Sequence, residues 1–304
     1  MKTKIWRRFI APLLVVMNIA VVVVILVSAQ SGKTEVIVEK EVMYEPVELP
    51  DAVSFAGEKM PLERFYVKEA LDRELLSNAY FHSQTIRYIK LVPRYFPIIE
   101  PILKEHGIPD DFKYLAVAES GLDPRAISPA RAAGFWQLME GTAKDYGLEI
   151  NSEVDERYHI EKATHVACEY IKKAYEKFGS WTMVAAAYNR GMTGVNRQVV
   201  RQKEDDYYDL LITTETARYV YRIVALKLIL ENPEKYKFFI PEEDKYQIIP
   251  TKKVEIKGSV ANFADYAIQH GVNYKVLKDF NPWLRENELT YSGRKRYWVE
   301  IPEL

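Results

Sequence analysis

The chain has 304 residues, enough for one large domain or two modest ones, and its 48% hydrophobic and 28% charged content is that of an ordinary globular protein. Formal net charge is −1; Lys2, Lys4, Arg7 and Arg8 supply four positive charges at the N-terminus, which leaves −5 for the remainder and no basic footprint for nucleic acid. Cys168 is the only cysteine, which excludes an intramolecular disulfide and leaves stability to packing.

The basic start is followed by an apolar run over residues 9–29, interrupted mildly by Pro12 and Asn18. It exceeds the ~7–15 residues of a signal-peptide core and reaches the roughly 20 needed to span a bilayer. Positive charge stays on the cytoplasmic side, which sends the rest of the chain outward. Residues 1–29 are therefore read as a transmembrane anchor or signal peptide, with cleavage after Ala29 at Val27-Ser28-Ala29 as the alternative to tethering. Either way the globular part is exported to the periplasm. Residues 30–60 are charged, lack a clear amphipathic period and read as a linker. Ser31-Gly32-Lys33-Thr34 imitates the end of a phosphate-binding loop, but Val27 stands where that loop needs glycine.

From residue 62 to 232 apolar residues recur every three or four positions. Ile86, Ile89, Val92 and Phe96 share one helical face; Ile99, Ile102, Leu103 and His106 begin a second element that Gly107-Ile108-Pro109 ends. Ile160, Ala163, Ala167, Ile171, Ala174 and Phe178 make an amphipathic helix closed by Gly179, and Cys168 inside it reads as a core filler. Residues 181–188 are nearly all apolar, as in a central buried helix. Thr213-Thr214-Glu215 opens another helix that stops before Pro233. Strand-like alternation is missing here, so residues 61–235 are expected to be all-α.

The texture changes after Pro233. Lys253-Val254-Glu255-Ile256 alternates like a strand and Gly258-Ser259 turns the chain. Two short helices follow, over residues 262–269 and 274–279 with Gly271 between them, and Tyr297-Trp298-Val299-Glu300-Ile301 closes with a second strand. Residues 245–304 thus form a small α+β module of order strand-helix-helix-strand.

The chemistry concentrates in Ala118-Glu119-Ser120-Gly121, then Asp123 to Ser128, then Gly134-Phe135-Trp136-Gln137-Leu138-Met139. Glu119 adjoins the apolar Leu115-Ala116-Val117-Ala118, so its carboxylate faces partial desolvation, which raises a Glu pKa and keeps a proton available near neutral pH. Gly121, Pro124, Ser128 and Pro129 favour loop over long helix. Trp136 offers either core volume or a stacking platform, and Gln137 a two-way amide that could equally satisfy backbone. Ser128, before Pro129, is also a plain turn residue. One acid at a helix end beside an aromatic, amide-lined loop suits cleavage of a sugar chain.

Glu119-Ser120, Ser128, Gly134-x-Trp136-Gln137 and the later Ala187-Tyr188-Asn189-x-Gly191 resemble the soluble-type lytic transglycosylases of glycoside hydrolase family 23, which also holds goose-type lysozymes. Glu215-Thr216-x-x-Tyr219-Val220 resembles that family's late motif, and residues 245–304 resemble a LysM module, which binds glycans containing N-acetylglucosamine. The resemblance implies a mainly α, lysozyme-like catalytic domain followed by a LysM-like module. It implies peptidoglycan glycan strands as substrate, with the bond from N-acetylmuramic acid to N-acetylglucosamine cut and a 1,6-anhydro end formed. Glu119 would serve as acid and then base. Ser128, Trp136, Gln137, Met139, Tyr188, Asn189 and Tyr219 would contact the sugars or the acid.

A second carboxylate, which hydrolysis would call for, is not singled out: Asp123, Glu140, Asp145, Asp155 and Glu215 are all candidates. A hydrolytic muramidase of the goose-type lysozyme kind and a non-catalytic wall-binding protein therefore stand as alternatives. His82, His106, His159, His165 and His270 show no i, i+4 pair with a neighbouring acid, and a Gly-x-Ser-x-Gly elbow is absent, so neither metal nor cofactor is expected.

Overall fold

The computed structural model describes residues 45–303 apart from residue 294; the apolar run of residues 9–29 lies outside the described residues. Among the described residues, no helix is long and apolar enough to cross a membrane.

A long helical region comes first. Helix α1 (Phe65–Tyr80) packs its Val67, Leu71 and Leu75 face along α8 (Thr214–Glu231), whose Val220, Ile223, Val224 and Ile229 are all buried. Helices α3 (Lys113–Ser120) and α6 (Trp181–Arg190) also lie against α8. Met183-Val184-Ala185-Ala186-Ala187 of α6 is buried on every side, and its small residues let α5 (Ile160–Phe178), α7 (Met192–Gln202) and α8 approach closely. Burying a side chain such as Val184 contributes about 1.5–3 kcal/mol. Ser180 caps α6 by accepting from the Met183 N–H at 3.5 Å, and Gly179 ends α5 in the left-handed region.

Two expectations from the sequence are corrected. Residues 82–105 are one helix, α2 (His82–Glu105), not two elements. Pro93, Pro97 and Pro101 sit within it four apart, on one face, with Pro97 and Pro101 exposed. Each proline removes one i→i−4 bond, but on an exposed face water hydrates the carbonyls left over, and the Tyr88, Ile89, Phe96 and Ile99 side keeps its packing. The second correction concerns the linker, which does not run free to residue 60. Strands β1 (Ser54–Phe55) and β2 (Glu58–Lys59) form a small hairpin that buries Phe55 and Met60 in the helical core. The Glu58 carboxylate accepts from the Trp181 N–H at 2.6 Å and the Thr182 N–H at 3.0 Å, satisfying the start of α6.

The C-terminal part pairs β3 (Thr251–Ile256) with β4 (Tyr297–Pro302) antiparallel, from Thr251 opposite Pro302 to Ile256 opposite Tyr297. Helices α9 (Phe263–Gln269) and α10 (Tyr274–Phe280) lie between them in sequence, capped by Asn262 and Asn273. This module is built onto the helical region. Ala133, Val154 and Tyr158 share its apolar core with Trp283, Leu284 and Tyr297. Backbone bonds from Asp155 N to Trp283 O (2.9 Å) and from Arg285 N to Glu153 O (2.7 Å) extend the seam. His159 stacks on Trp283, and burial pushes its imidazole down to about 4.

Candidate active site

The short helix α3 presents Glu119 in its last turn, one residue before its end. Tyr114, Leu115, Ala116 and Val117 are buried and fix the helix, and Gly121 terminates it at φ 61° by donating its N–H to Val117 O at 2.9 Å. Gly121 is required twice over, by its left-handed φ and because a Cβ there would lie 2.8 Å from the Tyr88 ring, while Arg87 of α2 donates to its carbonyl at 3.0 Å. Glu119 is half-buried near the negative end of its helix.

Burial raises the Glu119 carboxyl to about 7, opposed first by a hydrogen bond from the Tyr219 hydroxyl. The negative charge of Glu215 raises it and the Arg222 guanidinium lowers it. Tyr219, Glu215 and Arg222 all come from α8, at spacings of four and three that place them along one side of the helix. Tyr219 is 2% exposed, so its hydroxyl is held in a single direction. The Arg222 guanidinium is in turn drawn toward Glu74 of α1 at 3.8 Å, a buried carboxylate that also takes Arg218 at 2.6 Å.

Tyr188 and Asn189, at the end of α6, join the same place from another side. The Tyr188 hydroxyl donates to the Trp136 carbonyl at 2.7 Å, and burial together with the Glu119 charge drives its pKa well above the usual tyrosine value. Asn189 accepts from the Thr216 hydroxyl at 2.8 Å and donates to Glu215 at 3.4 Å, tying α6 to the first turn of α8. Glu119, Tyr188, Asn189 and Tyr219 are therefore brought together from three helices.

Ser128, Trp136, Gln137 and Met139 belong to a hairpin-like loop in which Ala133 pairs with Ile127 and with Leu138. Ser128 is a turn residue here: its hydroxyl accepts from the Ala132 N–H at 3.0 Å while its own N–H donates to Ala132 O. Gln137 adopts φ 45°, rare for a side-chain-bearing residue, and its amide donates to Gly134 O at 2.8 Å and Ala126 O at 3.2 Å. Those bonds hold the strained backbone in place. Gly134 has φ 76°, and a Cβ there would fall 2.0 Å from Arg157 O. Met139 is half exposed at the loop exit, where it caps the short helix α4 (Glu140–Asp145).

Trp136 as a sugar platform is corrected. Its indole is fully buried and donates to Thr164 of α5 at 2.8 Å, so no ring face is open to a ligand. Exposed apolar surface on this loop comes instead from Ile127, which sequence reasoning passed over. Glu215 was indistinguishable from four other carboxylates by sequence; its offset of four from Tyr219 on one helix was the available signal.

Two family models match the chain: the Transglycosylase SLT domain over residues 96–211 and the soluble lytic transglycosylase C-terminal LysM-like domain over residues 252–304. Membrane-bound lytic murein transglycosylase D of Escherichia coli (strain K12) is 28% identical over 261 residues, which cover 83% of this chain and 56% of that protein. The chain thus spans just over half the length of this curated relative. The 70 kDa soluble lytic transglycosylase SLT70 of Escherichia coli is 21% identical over 51% of this chain and 27% of its own, with a TM-score of 0.40. Residues 96–211 are thus similar to a Transglycosylase SLT domain and residues 252–304 to a LysM-like domain.

Proposed function

We propose that this protein is a peptidoglycan lytic transglycosylase in which Glu119 acts first as acid and then as base. The observation that carries the reading is a half-buried Glu119 held by Tyr219 with its carboxyl raised to about 7, so that both protonation states are reached near neutral pH. Protonated Glu119 gives its proton to the glycosidic oxygen as the bond from that oxygen to the N-acetylmuramic acid anomeric carbon breaks. The leaving N-acetylglucosamine departs with a free hydroxyl. The C6 hydroxyl of N-acetylmuramic acid then attacks the anomeric carbon, and the Glu119 carboxylate takes its proton. A 1,6-anhydro end results, and Glu119 is protonated again. The substrate's 2-acetamido group offsets positive charge at the anomeric carbon, so neither water nor a second carboxylate enters the bond-making step.

In this reading Tyr219 aims the Glu119 carboxylate, Tyr188 fixes the Trp136–Gln137 backbone beside it, and Met139, Gln137 and Ser128 line the sugar path. The LysM-like domain adds contact with glycan strands. The chain works outside the cytoplasmic membrane, tethered by residues 9–29.

The test is mass spectrometry of purified peptidoglycan after incubation with the purified full chain. The expected products carry 1,6-anhydro ends. Reducing ends in their place would make the protein a hydrolytic muramidase, with Glu215 as the carboxylate available to activate water. Absence of cleavage by a folded chain that binds the polymer would make it a wall-binding protein.

A further inference from the structure

Away from the site, α2 and α5 bring two imidazoles face to face. Glu105 ends α2, His106 follows it as the cap, and His165 lies one residue beyond Thr164 on α5. One ligand atom from each of Glu105, His106 and His165 lies within 4.8 Å of the others. His106 Nε2 faces His165 Nδ1 at 2.8 Å, with the rings tilted by 58°. The other nitrogen of His106, Nδ1, is 3.1 Å from the Glu169 carboxylate and 3.2 Å from Lys172 Nζ.

We infer that Glu105, His106 and His165 form a binding site for a divalent transition-metal ion, with Zn2+ the ion best fitted by two imidazoles and one carboxylate. The ion would replace the proton that the two facing nitrogens share, with both rings tilting so that their lone pairs converge on it. Binding through Nε2 leaves the His106 proton on Nδ1, where Glu169 at 3.1 Å accepts it once the Lys172 ammonium, a donor at 3.2 Å, turns aside. Tetrahedral zinc with bonds of about 2.0–2.1 Å separates two ligand nitrogens by roughly 3.3 Å, so the present pair opens by about half an ångström on binding. Glu105 is exposed and supplies the third ligand, and a water would complete four-coordinate zinc. Lys172 lies on the Nδ1 side of the ring, away from the ion, and its charge is met by Glu169 at 4.0 Å. The negative end of the 24-residue α2 falls at the same point and favours a cation.

A bound ion joins the end of α2, which carries Arg87 and Tyr88 to the Gly121 turn, to the helix whose Thr164 holds Trp136. The inference does not depend on the proposed reaction. The experiment takes the untagged full chain, stripped with chelator, and titrates ZnCl2 by calorimetry, with metal content counted after gel filtration. One zinc per chain is expected, with a melting temperature that rises with zinc. His165→Gln and His106→Gln, each checked for native circular dichroism, should weaken binding by about tenfold or more and abolish the zinc-dependent rise, and Glu169→Gln should weaken it by a similar factor. No stoichiometric binding at about 0.1 mM zinc would overturn the site, as would binding that both histidine variants leave unchanged.

Discussion

The Tyr219 hydroxyl donates to the Glu119 carboxylate across 100 residues of sequence, joining the C-terminal end of α3 to the second turn of α8. A hydrogen bond given to a carboxylate favours its charged form, so this contact holds the acid below the value that burial alone would impose. Tyr219→Phe removes the donor and keeps the ring. The Glu119 carboxyl should then titrate above 7, moving the alkaline limb of the pH–rate profile upward. The maximal rate should fall roughly 10–100-fold through lost aim. A pH series of muropeptide release checks both effects.

Glu215 and Arg222 should move the same limb in opposite directions. Glu215→Gln removes a like charge, so the Glu119 carboxyl falls and the alkaline limb shifts to lower pH. Arg222→Gln removes an opposite charge and shifts it upward. Equal shifts of one sign from both variants would show that neither acts through the charge it carries.

Glu119 should cost stability at neutral pH and above. Its folded carboxyl titrates near 7 and its unfolded one near 4.5, so between these values the folded chain binds the extra proton and stability falls as pH rises. Glu119→Gln should therefore be the more stable protein at pH 8, by up to about 3 kcal/mol, with the difference vanishing below about pH 4.5. Paired thermal melts at pH 4 and pH 8 measure it.

His159 should act on the acid side. Its imidazole stays neutral in the fold down to about 4 but charges near 6.5 when unfolded, so stability is lost as pH falls from 6.5 to 4. His159→Phe retains a ring against Trp283 and should reduce that loss by about 1–2 kcal/mol once solvent screening is allowed for. Melting temperatures across pH 4–7 for the two proteins decide it.

Gly134→Ala should destabilise by at least about 3 kcal/mol or prevent folding, because the new Cβ meets the Arg157 carbonyl at 2.0 Å. Gly147→Ala has a similar positive φ of 87° but open space around it, and should cost only about 1 kcal/mol. Denaturant midpoints of the two variants separate steric collision from backbone strain.

Where the sequence was legible, one physical signal dominated. Helices α5 and α6 show in their apolar spacing because each buries one defined face or its whole girth. The strand-helix-helix-strand order shows because Gly271 and the Asn caps punctuate short elements. Unity of α2 was hidden because three prolines read as breaks, and their shared solvent-facing side is visible only once the helix is placed. The hairpin at residues 54–59 was hidden because its strands are only two residues each, too short for alternation to show around Phe55 and Met60. In the site, motif order pointed to Glu119, Tyr188 and Tyr219, but depth is not written in a motif: Trp136 lies inside the core and Ile127 on its surface. The pairing of His106 with His165, 59 residues apart, is tertiary and leaves no local spacing to find.

The most direct measurement compares wild type with Glu119→Gln on purified peptidoglycan, both shown to be folded by thermal melts, with products read by mass spectrometry. The account predicts 1,6-anhydromuropeptides from the wild type and a loss of roughly 10^2–10^4-fold with the variant. Anhydro products released by Glu119→Gln at the wild-type rate would contradict it.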